Sequence, residues 1–260
     1  MESVTFEEIN SLFRGEKTGS FTFKGKKTGC VLIHGFTGTP WTLEELGAFL
    51  VQRNILVSIP LLPGHGTKPS DLIGISWKEW VEVCRLEVEK MQRRCDEVFL
   101  IGLSMGGTIA LLLATEIVCN GVITLSAPVT LSSFVVKLLP FLHFFIRYWK
   151  KKPFSFPSSP PSQIGYDRYP LEAVLEFIKL LDHVRNLLVD VNCPALVIHA
   201  KNDREINSLN AELIYNSISS TDKHKILLGS SDHIITKGVD KEMVEKEVFK
   251  FIRSHSAILK

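Results

Sequence analysis

The stretch VFLIGLSMGG, residues 98–107, decides how the rest of this chain is interpreted. An apolar, strand-like run leads into the pattern Gly-x-Ser-x-Gly, and residues 108–118 after it have the spacing of a helix. In a strand–turn–helix context, this pattern holds a nucleophilic serine on a sharp turn at a sheet edge. Glycines on both sides avoid Cβ clashes there. The stretch therefore predicts that Ser104 is presented as a nucleophile.

Outside this turn, apolar runs alternate with segments of helical period. Several runs are continuous and rich in Val, Ile and Leu, as in parallel strands covered on both faces. The predicted strands are residues 20–23, 29–34, 55–60, 97–103, 121–126, 195–199 and 223–228. The predicted helices are residues 41–52, 77–94, 108–118, 171–188, 209–217 and 241–254. This alternation predicts an α/β fold with a mostly parallel, doubly wound sheet.

One segment, residues 129–189, interrupts the alternation and shows no clear strand. It begins with a run rich in large apolar residues, continues through a Pro-rich stretch and ends in the predicted helix at residues 171–188. We interpret it as a cap or lid inserted into an α/β core domain formed by residues 1–128 and 190–260.

The apolar side chains of this predicted cap allow two interpretations. Phe144, Phe145 and Trp149, with their apolar neighbours, either pack the cap onto the core or line an acyl-binding pocket and contact a lipid surface transiently. The three lysines at residues 150–152 would suit an element that lies at an interface. Phe144 and Phe145 are our candidate substrate-pocket residues.

Composition excludes several classes of protein. The 260 residues carry 30 basic and 28 acidic side chains, so no excess of positive charge favours nucleic acid as a partner. No run reaches the roughly 20 apolar residues of a membrane span, and the start MESVTFEEIN lacks the features of a signal peptide. The five cysteines are scattered, so we expect reduced thiols, no metal site and a cytoplasmic location.

A serine hydroxyl needs a base to accept its proton, and hydrolases with this turn place their residues in the chain order Ser, Asp or Glu, His. His233 is the best candidate base, because its polar loop GSSDHII follows the strand predicted at residues 223–228. His34 and His65 precede the serine, and His199 lies within an apolar strand as a core histidine would. The remaining histidines lie in the cap or at solvated positions: His143, His183, His224 and His255.

The carboxylate that orients the base should follow the preceding strand. The run ALVIHAKND places Asp203 in the loop after residues 195–199, with Glu205 as a close alternative. Asp232 is adjacent to His233, and an immediate neighbour rarely folds back to orient an imidazole. We therefore predict Asp203 as the acid of the triad.

The oxyanion of an acyl-transfer reaction needs preorganised donors. One is expected from the N–H of the residue after the nucleophile, Met105, and one from the loop after an earlier strand. VLIHGFTGTP, residues 31–40, supplies such a strand and loop, with Phe36 as the second donor. Gly35 and Gly38 allow the tight turning that this loop requires.

These motifs together resemble the α/β-hydrolases of the bacterial carboxylesterase and monoacylglycerol lipase group. The matching pieces, in order, are IHGFTGTP, PLLPGHGTKPSDL, the W-x-x-W at residues 77–80, GLSMGG, CPALVIHAKND with the INSLNAELIYNSISS after it, and SSDHIIT. The resemblance implies hydrolysis of short- to medium-chain carboxylic esters or monoacylglycerols without a cofactor. It implies the same roles for Ser104, Asp203, His233, Phe36 and Met105.

The leading functional hypothesis is therefore a serine hydrolase that cleaves carboxylic esters of small alcohols or glycerol. Its partner would be a small-molecule ester with a hydrophobic acyl group, and an acyl-enzyme would form on Ser104. A thioesterase or a lipid-specific lipase with the same triad is the alternative within hydrolases. A ligand receptor without turnover on the same fold is the alternative from another class.

Overall fold

A computed structural model describes residues 27–131, 146–151 and 165–259, and within them the main feature is a parallel six-stranded sheet. The strand order is β2-β1-β3-β4-β7-β8. The strands are β1 (Thr28–Ile33), β2 (Leu56–Ser58), β3 (Glu97–Leu103), β4 (Gly121–Leu125), β7 (Ala195–Ala200) and β8 (Lys223–Leu228). The prediction of a mostly parallel sheet is confirmed, while the strand predicted at residues 20–23 lies outside the described residues.

The helices occupy the connections between these strands, except the last one, which follows β8. They are α1 (Glu44–Val51), α2 (Trp77–Gln92), α3 (Met105–Glu116), α4 (Leu171–Leu187), α5 (Leu209–Ser217) and α6 (Lys241–His255). The start of α2 follows from its capping sequence, since the Glu79 side chain accepts a hydrogen bond from the Ser76 N–H at 3.0 Å. α3 begins at Met105, three residues before the predicted start, so the helix begins within the Gly-x-Ser-x-Gly motif itself.

The central strands β1, β3, β4 and β7 are buried on both faces, because successive strand residues point to opposite sides and helices cover each side. Val31 and Leu100 join the core on the side of α2, α3, α4 and α5, whereas Leu32 and Phe99 join the core on the side of α1 and α6. This explains why the strands are continuous apolar runs without alternation. It also leaves the carboxyl ends of the strands as the edge where polar loops gather.

The segment between β4 and β7 differs from its prediction. Two short strands, β5 (Tyr148–Lys150) and β6 (Arg168–Pro170), pair in an antiparallel hairpin before α4. The prediction of no strand between residues 129 and 189 was wrong at these two positions. Strands of three residues with sequences YWK and RYP are too short to show an alternating pattern, and Pro within a strand argues against the assignment.

No helix within the described residues is both long enough and apolar enough to cross a lipid bilayer.

Candidate active site

Ser104 lies at the junction of β3 and α3 in a strained backbone conformation. Its φ is 54° and its ψ is −125°, a region that residues with a side chain rarely adopt. Such strain costs on the order of 1–3 kcal/mol and persists only where the surroundings impose it. Here the Ser104 N–H donates to the carbonyl of Leu125 on β4 at 2.8 Å, and α3 begins at the next residue.

The glycines around Ser104 permit close packing of β3 against α3. A Cβ on Gly102 would lie 2.1 Å from the carbonyl oxygen of Gly106, and a Cβ on Gly106 would lie 2.0 Å from the carbonyl oxygen of Ile33. Neither distance is tolerable. The left-handed φ belongs to Ser104 itself, so the two glycines of the motif serve contact between elements while the serine carries the strain of the turn.

The carboxylate of Asp203 and the imidazole of His233 form a buried pair. They come from the loops after β7 and β8, and Asp203 Oδ2 lies 2.7 Å from His233 Nδ1. The other oxygen, Oδ1, accepts hydrogen bonds from the N–H groups of Glu205 at 2.8 Å and Ile206 at 2.9 Å. The Asp203 side chain is 0% exposed, so its orientation is set by protein donors.

A second histidine supports Asp203, a role that the sequence analysis did not assign. His199 Nε2 lies 3.2 Å from the carbonyl oxygen of Ile206 and 3.4 Å from Asp203 Oδ2. Both neighbours are acceptors, so Nε2 carries the proton and points it at them. The prediction that His199 is a buried strand residue is confirmed. The sequence held one signal for this supporting role: His199 is a polar residue in an apolar strand, four residues before the candidate acid Asp203.

The pKa values of the pair are shifted apart. Burial alone would raise the pKa of Asp203, but hydrogen bonds from His199 and His233 and the charge of His233 hold that pKa well below its usual range. Burial alone would lower the pKa of His233, but the hydrogen bond and charge of Asp203 and the charge of Glu205 hold it above its ordinary value. Asp203 is therefore ionised across the range in which His233 titrates.

The two alternative carboxylates occupy different places. Glu205 Oε2 lies 3.8 Å from His233 Nε2, the ring nitrogen opposite to the one that Asp203 contacts. Asp232 Oδ1 accepts from the backbone N–H groups of Arg204 at 3.1 Å and His233 at 2.9 Å, so it links the two loops. Among the three candidates, the carboxylate hydrogen-bonded to Nδ1 is that of Asp203.

The loop after β1 lies against Ser104. His34 is buried there with its Nδ1 3.0 Å from the Gly35 carbonyl oxygen, and its Nε2 accepts the Leu62 N–H at 3.1 Å. Burial and the neighbouring His65 lower the pKa of His34 to about 3, so it is a neutral structural residue. A Cβ on Gly35 would lie 3.1 Å from Ser104 Cβ, so glycine lets this loop approach the serine closely.

The backbone N–H groups of Phe36 and Met105 are the predicted oxyanion donors. Neither donates a hydrogen bond to another residue of the described ranges. Met105 begins α3, whose first N–H groups have no carbonyl partner within the helix and whose dipole favours negative charge. Met105 follows Ser104 in the chain, and Phe36 follows Gly35, which lies against Ser104. Both N–H groups are therefore candidates to donate to an oxygen that acquires charge.

Ser104 and His233 open into one cavity of about 400 Å³. Its walls are largely apolar, and several polar side chains also line it. The apolar lining includes Phe36, Leu131, Trp149, Val174, Phe177, Ile206 and Ile234, and the polar lining includes Lys151, Tyr169, Arg204 and Glu205. Trp149 belongs to the apolar run predicted for the cap, and it does line the cavity. Phe144 and Phe145, the predicted pocket residues, lie outside the described residues.

Within the described ranges, no three His, Cys, Asp or Glu side chains are grouped as a metal site would require. The chemistry that this arrangement supports is acyl transfer through a serine nucleophile, a histidine base and two backbone donors.

Comparison with known proteins identifies a family and several relatives of this chain. Residues 25–240 match the sequence profile of the family described as serine aminopeptidase, S33. The chain is 28% identical to a thermostable monoacylglycerol lipase from Bacillus sp. (strain H-257) over 88% of this chain and 91% of the relative. It is also 28% identical to a carboxylesterase from Bacillus subtilis (strain 168) over 89% of this chain and 95% of the relative.

A solved structure shows the same arrangement of the chain. It comes from a study of LipS and LipT, two metagenome-derived lipolytic enzymes, and has a TM-score of 0.84 with 29% sequence identity. The match covers 89% of this chain and 95% of that one.

Proposed function

Because this chain belongs to the serine aminopeptidase S33 family, and is a hydrolase of the α/β-hydrolase fold, we propose that it cleaves carboxylic esters with Ser104 as the nucleophile. The resemblance inferred from its motifs is confirmed at the level of the family and fold. Relatives named monoacylglycerol lipase and carboxylesterase support an ester as the substrate, with a small alcohol or glycerol as the leaving group. The cap role predicted for residues 129–189 is supported by the described residues of that segment that line the cavity, among them Trp149, Lys151 and Phe177.

In the first half of the reaction, His233 Nε2 takes the proton of the Ser104 hydroxyl as Oγ attacks the ester carbonyl carbon. The developing oxyanion accepts hydrogen bonds from the N–H groups of Phe36 and Met105. Collapse of the tetrahedral intermediate breaks the bond to the alcohol, which takes the proton from His233 and leaves an acyl-enzyme.

In the second half, water loses a proton to His233 and attacks the acyl carbonyl. The second tetrahedral intermediate uses the same two donors, and its collapse releases the carboxylic acid and returns the proton to Ser104. Asp203 stays ionised throughout. It fixes the proton of His233 on Nδ1 and stabilises the imidazolium that forms in each half.

The observation that carries this proposal is the hydrogen-bond set of Asp203. Both of its oxygens are directed by protein donors, one towards His233 Nδ1 at 2.7 Å and the other towards two backbone N–H groups. Such an arrangement leaves Nε2 of the same ring as the acceptor, and His233 and Ser104 line the same cavity. A merely structural aspartate would not require a buried histidine in one tautomer beside a strained serine.

The cavity supports a substrate with an apolar acyl group. Its volume of about 400 Å³ lies within the range of small-molecule sites, and its walls are largely aromatic and aliphatic. Lys151, Tyr169 and Glu205 are polar residues of the same lining, and the Lys151 ammonium lies 5.0 Å from the centroid of the Tyr169 ring. An ester with an apolar acyl chain and a polar alcohol matches this lining.

The test is turnover of p-nitrophenyl esters from acetate to laurate by the wild-type chain and by Ser104→Ala. We expect turnover with the wild type, and a loss in kcat of about 10⁴-fold or more in the variant. Ser219→Ala, at an exposed serine outside the cavity, is the matched control and should retain wild-type activity. More than a few per cent of residual activity in Ser104→Ala would contradict the assignment.

Two further measurements distinguish an esterase from a ligand receptor and from a peptidase. A fluorophosphonate probe should label the wild type once per chain and should not label Ser104→Ala. Labelling without ester turnover would indicate a receptor. Faster hydrolysis of aminoacyl p-nitroanilides than of the esters would indicate a peptidase and overturn the ester proposal.

A further inference from the structure

The loop that carries Phe36 is held by the β5–β6 hairpin through its next residue. Thr37 has a φ of 59°, a left-handed conformation that is a genuine outlier for a β-branched residue. Lys151, which follows β5, donates from Nζ to Thr37 Oγ1 at 3.0 Å. Tyr166, which precedes β6, donates its N–H to the Thr37 carbonyl oxygen at 3.0 Å. Residues near both strands, at the end where Lys150 pairs with Arg168, thus contact one strained residue.

The hairpin also contacts the side chain of Phe36. The ring of Tyr169 on β6 stacks on the Phe36 ring with centroids 5.8 Å apart and planes at 3°. Phe177 on α4, the helix that follows the hairpin, also stacks on the Phe36 ring, with centroids 5.3 Å apart and planes at 26°. The residue whose N–H is the proposed oxyanion donor is therefore fixed through its ring and through its neighbour.

We propose that the β5–β6 hairpin positions the Phe36–Thr37 loop for oxyanion stabilisation, with Lys151 as a positioning residue that acts through Thr37. This inference rests on the proposed function. Oxyanion donors act only when they lie about 2.7–3.1 Å from the charged oxygen, and a misplacement of about 1 Å costs roughly 100-fold in rate. A strained Thr37 that loses one of its two hairpin contacts relaxes and carries the adjacent Phe36 N–H out of position.

A variant at Thr37 distinguishes a positioning role of Lys151 from direct contact between Lys151 and the substrate. Lys151 lines the cavity, so its removal alone could act on the substrate directly. Thr37 is fully buried and is not among the cavity-lining residues. The ammonium of Lys151 is itself largely desolvated, lying 5.0 Å from the centroid of the Tyr169 ring. Burial lowers its pKa, which the charge of Glu205 partly opposes.

The test is a double-mutant cycle with Lys151→Met and Thr37→Val, assayed on p-nitrophenyl acetate so that the acyl part of the cavity contributes little. Each single variant should lose about 10-fold in kcat with KM changed by less than about 2-fold. The double variant should be no worse than either single variant, because the two residues form one contact. Thr37→Ser keeps the hydroxyl and should recover most of the activity that Thr37→Val loses.

Affinity for a trifluoromethyl ketone gives a readout that a structural role would not move. This inhibitor adds to the serine to form a tetrahedral oxyanion, so its affinity should fall in proportion to kcat/KM across the variants. Lys246→Met, on α6 with a side chain that is 71% exposed, is the control and should match the wild type.

Independent, multiplying losses in the cycle, a change in KM alone, or an unchanged kcat in Lys151→Met would overturn the inference. A melting curve accompanies each variant. If Thr37→Val does not fold, the kcat and KM of Lys151→Met and its inhibitor affinity decide the question. Serine-dependent turnover in the wild type with unchanged kcat in Lys151→Met refutes the hairpin role alone, whereas turnover that survives Ser104→Ala refutes the proposed function.

Discussion

Replacing Asp203 by Asn tests the triad most sharply, because the surroundings dictate how the amide must sit. Oδ1 receives two backbone N–H groups and Oδ2 receives His233 Nδ1. An asparagine offers one acceptor oxygen and one NH₂ that only donates. The NH₂ cannot face the two N–H groups of Glu205 and Ile206, so the amide oxygen takes that place and the NH₂ points at His233.

This orientation reverses the tautomer of His233. A donor opposite Nδ1 makes that nitrogen an acceptor and moves the proton to Nε2, the atom that must accept the Ser104 proton. Asp203 is 0% exposed, so water does not replace the lost acceptor. A wrong tautomer in such a triad costs about 10⁴-fold in kcat, which is about 5.5 kcal/mol of activation free energy.

The assay compares kcat/KM on p-nitrophenyl butyrate for Asp203→Asn and Asp232→Asn. Within the described residues, Asp232 accepts hydrogen bonds from backbone groups of the same two loops and lies 3.7 Å from Arg204 Nε in an exposed ion pair. Its side chain is 45% exposed, so its amide variant should lose less than about 10-fold. Activity of Asp203→Asn within about tenfold of the wild type would refute the reasoning, as would a larger loss in Asp232→Asn.

The other predictions concern Glu205 and Trp149. The protonated imidazole of His233 cannot act as a base, so kcat/KM rises as pH increases through its pKa, which the charges of Asp203 and Glu205 hold above its ordinary value. Glu205→Gln should therefore move the acidic limb of the profile, measured from about pH 5 to pH 9, to lower pH, and a shift to higher pH would contradict this. Trp149→Ala removes part of the apolar wall, so kcat/KM should fall by about tenfold for octanoate esters and change little for acetate, whereas equal losses at every chain length would exclude an acyl contact.

The proposed catalytic residues could be chosen from the sequence because each of them is tied to a local signal. Ser104 lies in a motif with its own strand and helix, and Asp203 and His233 each follow a strand that was predicted from the sequence. Parallel strands bring their carboxyl ends to one edge, so residues far apart in the chain could be placed together without knowing any contact.

The supporting residues were not predictable in the same way. Lys151 and Thr37 are 114 residues apart and meet through a hairpin with three-residue strands, which leaves no periodic signal. His199 looked like an ordinary core histidine because burial alone does not show which acceptor its proton faces. The strain at Ser104 and Thr37 arises from tertiary contacts that local propensity does not encode.

The hairpin contact with Thr37 has a consequence for how this protein can be re-engineered or can diverge. The residues proposed for chemistry come from loops after β1, β3, β7 and β8, while the hairpin belongs to a single excursion between β4 and β7. Because of this division, the segment between β4 and β7 could be exchanged for that of another protein to change the substrate preference. The Lys151–Thr37 contact restricts that freedom, because a transplanted hairpin must bring a donor for Thr37 or arrive with a compensating change at that position.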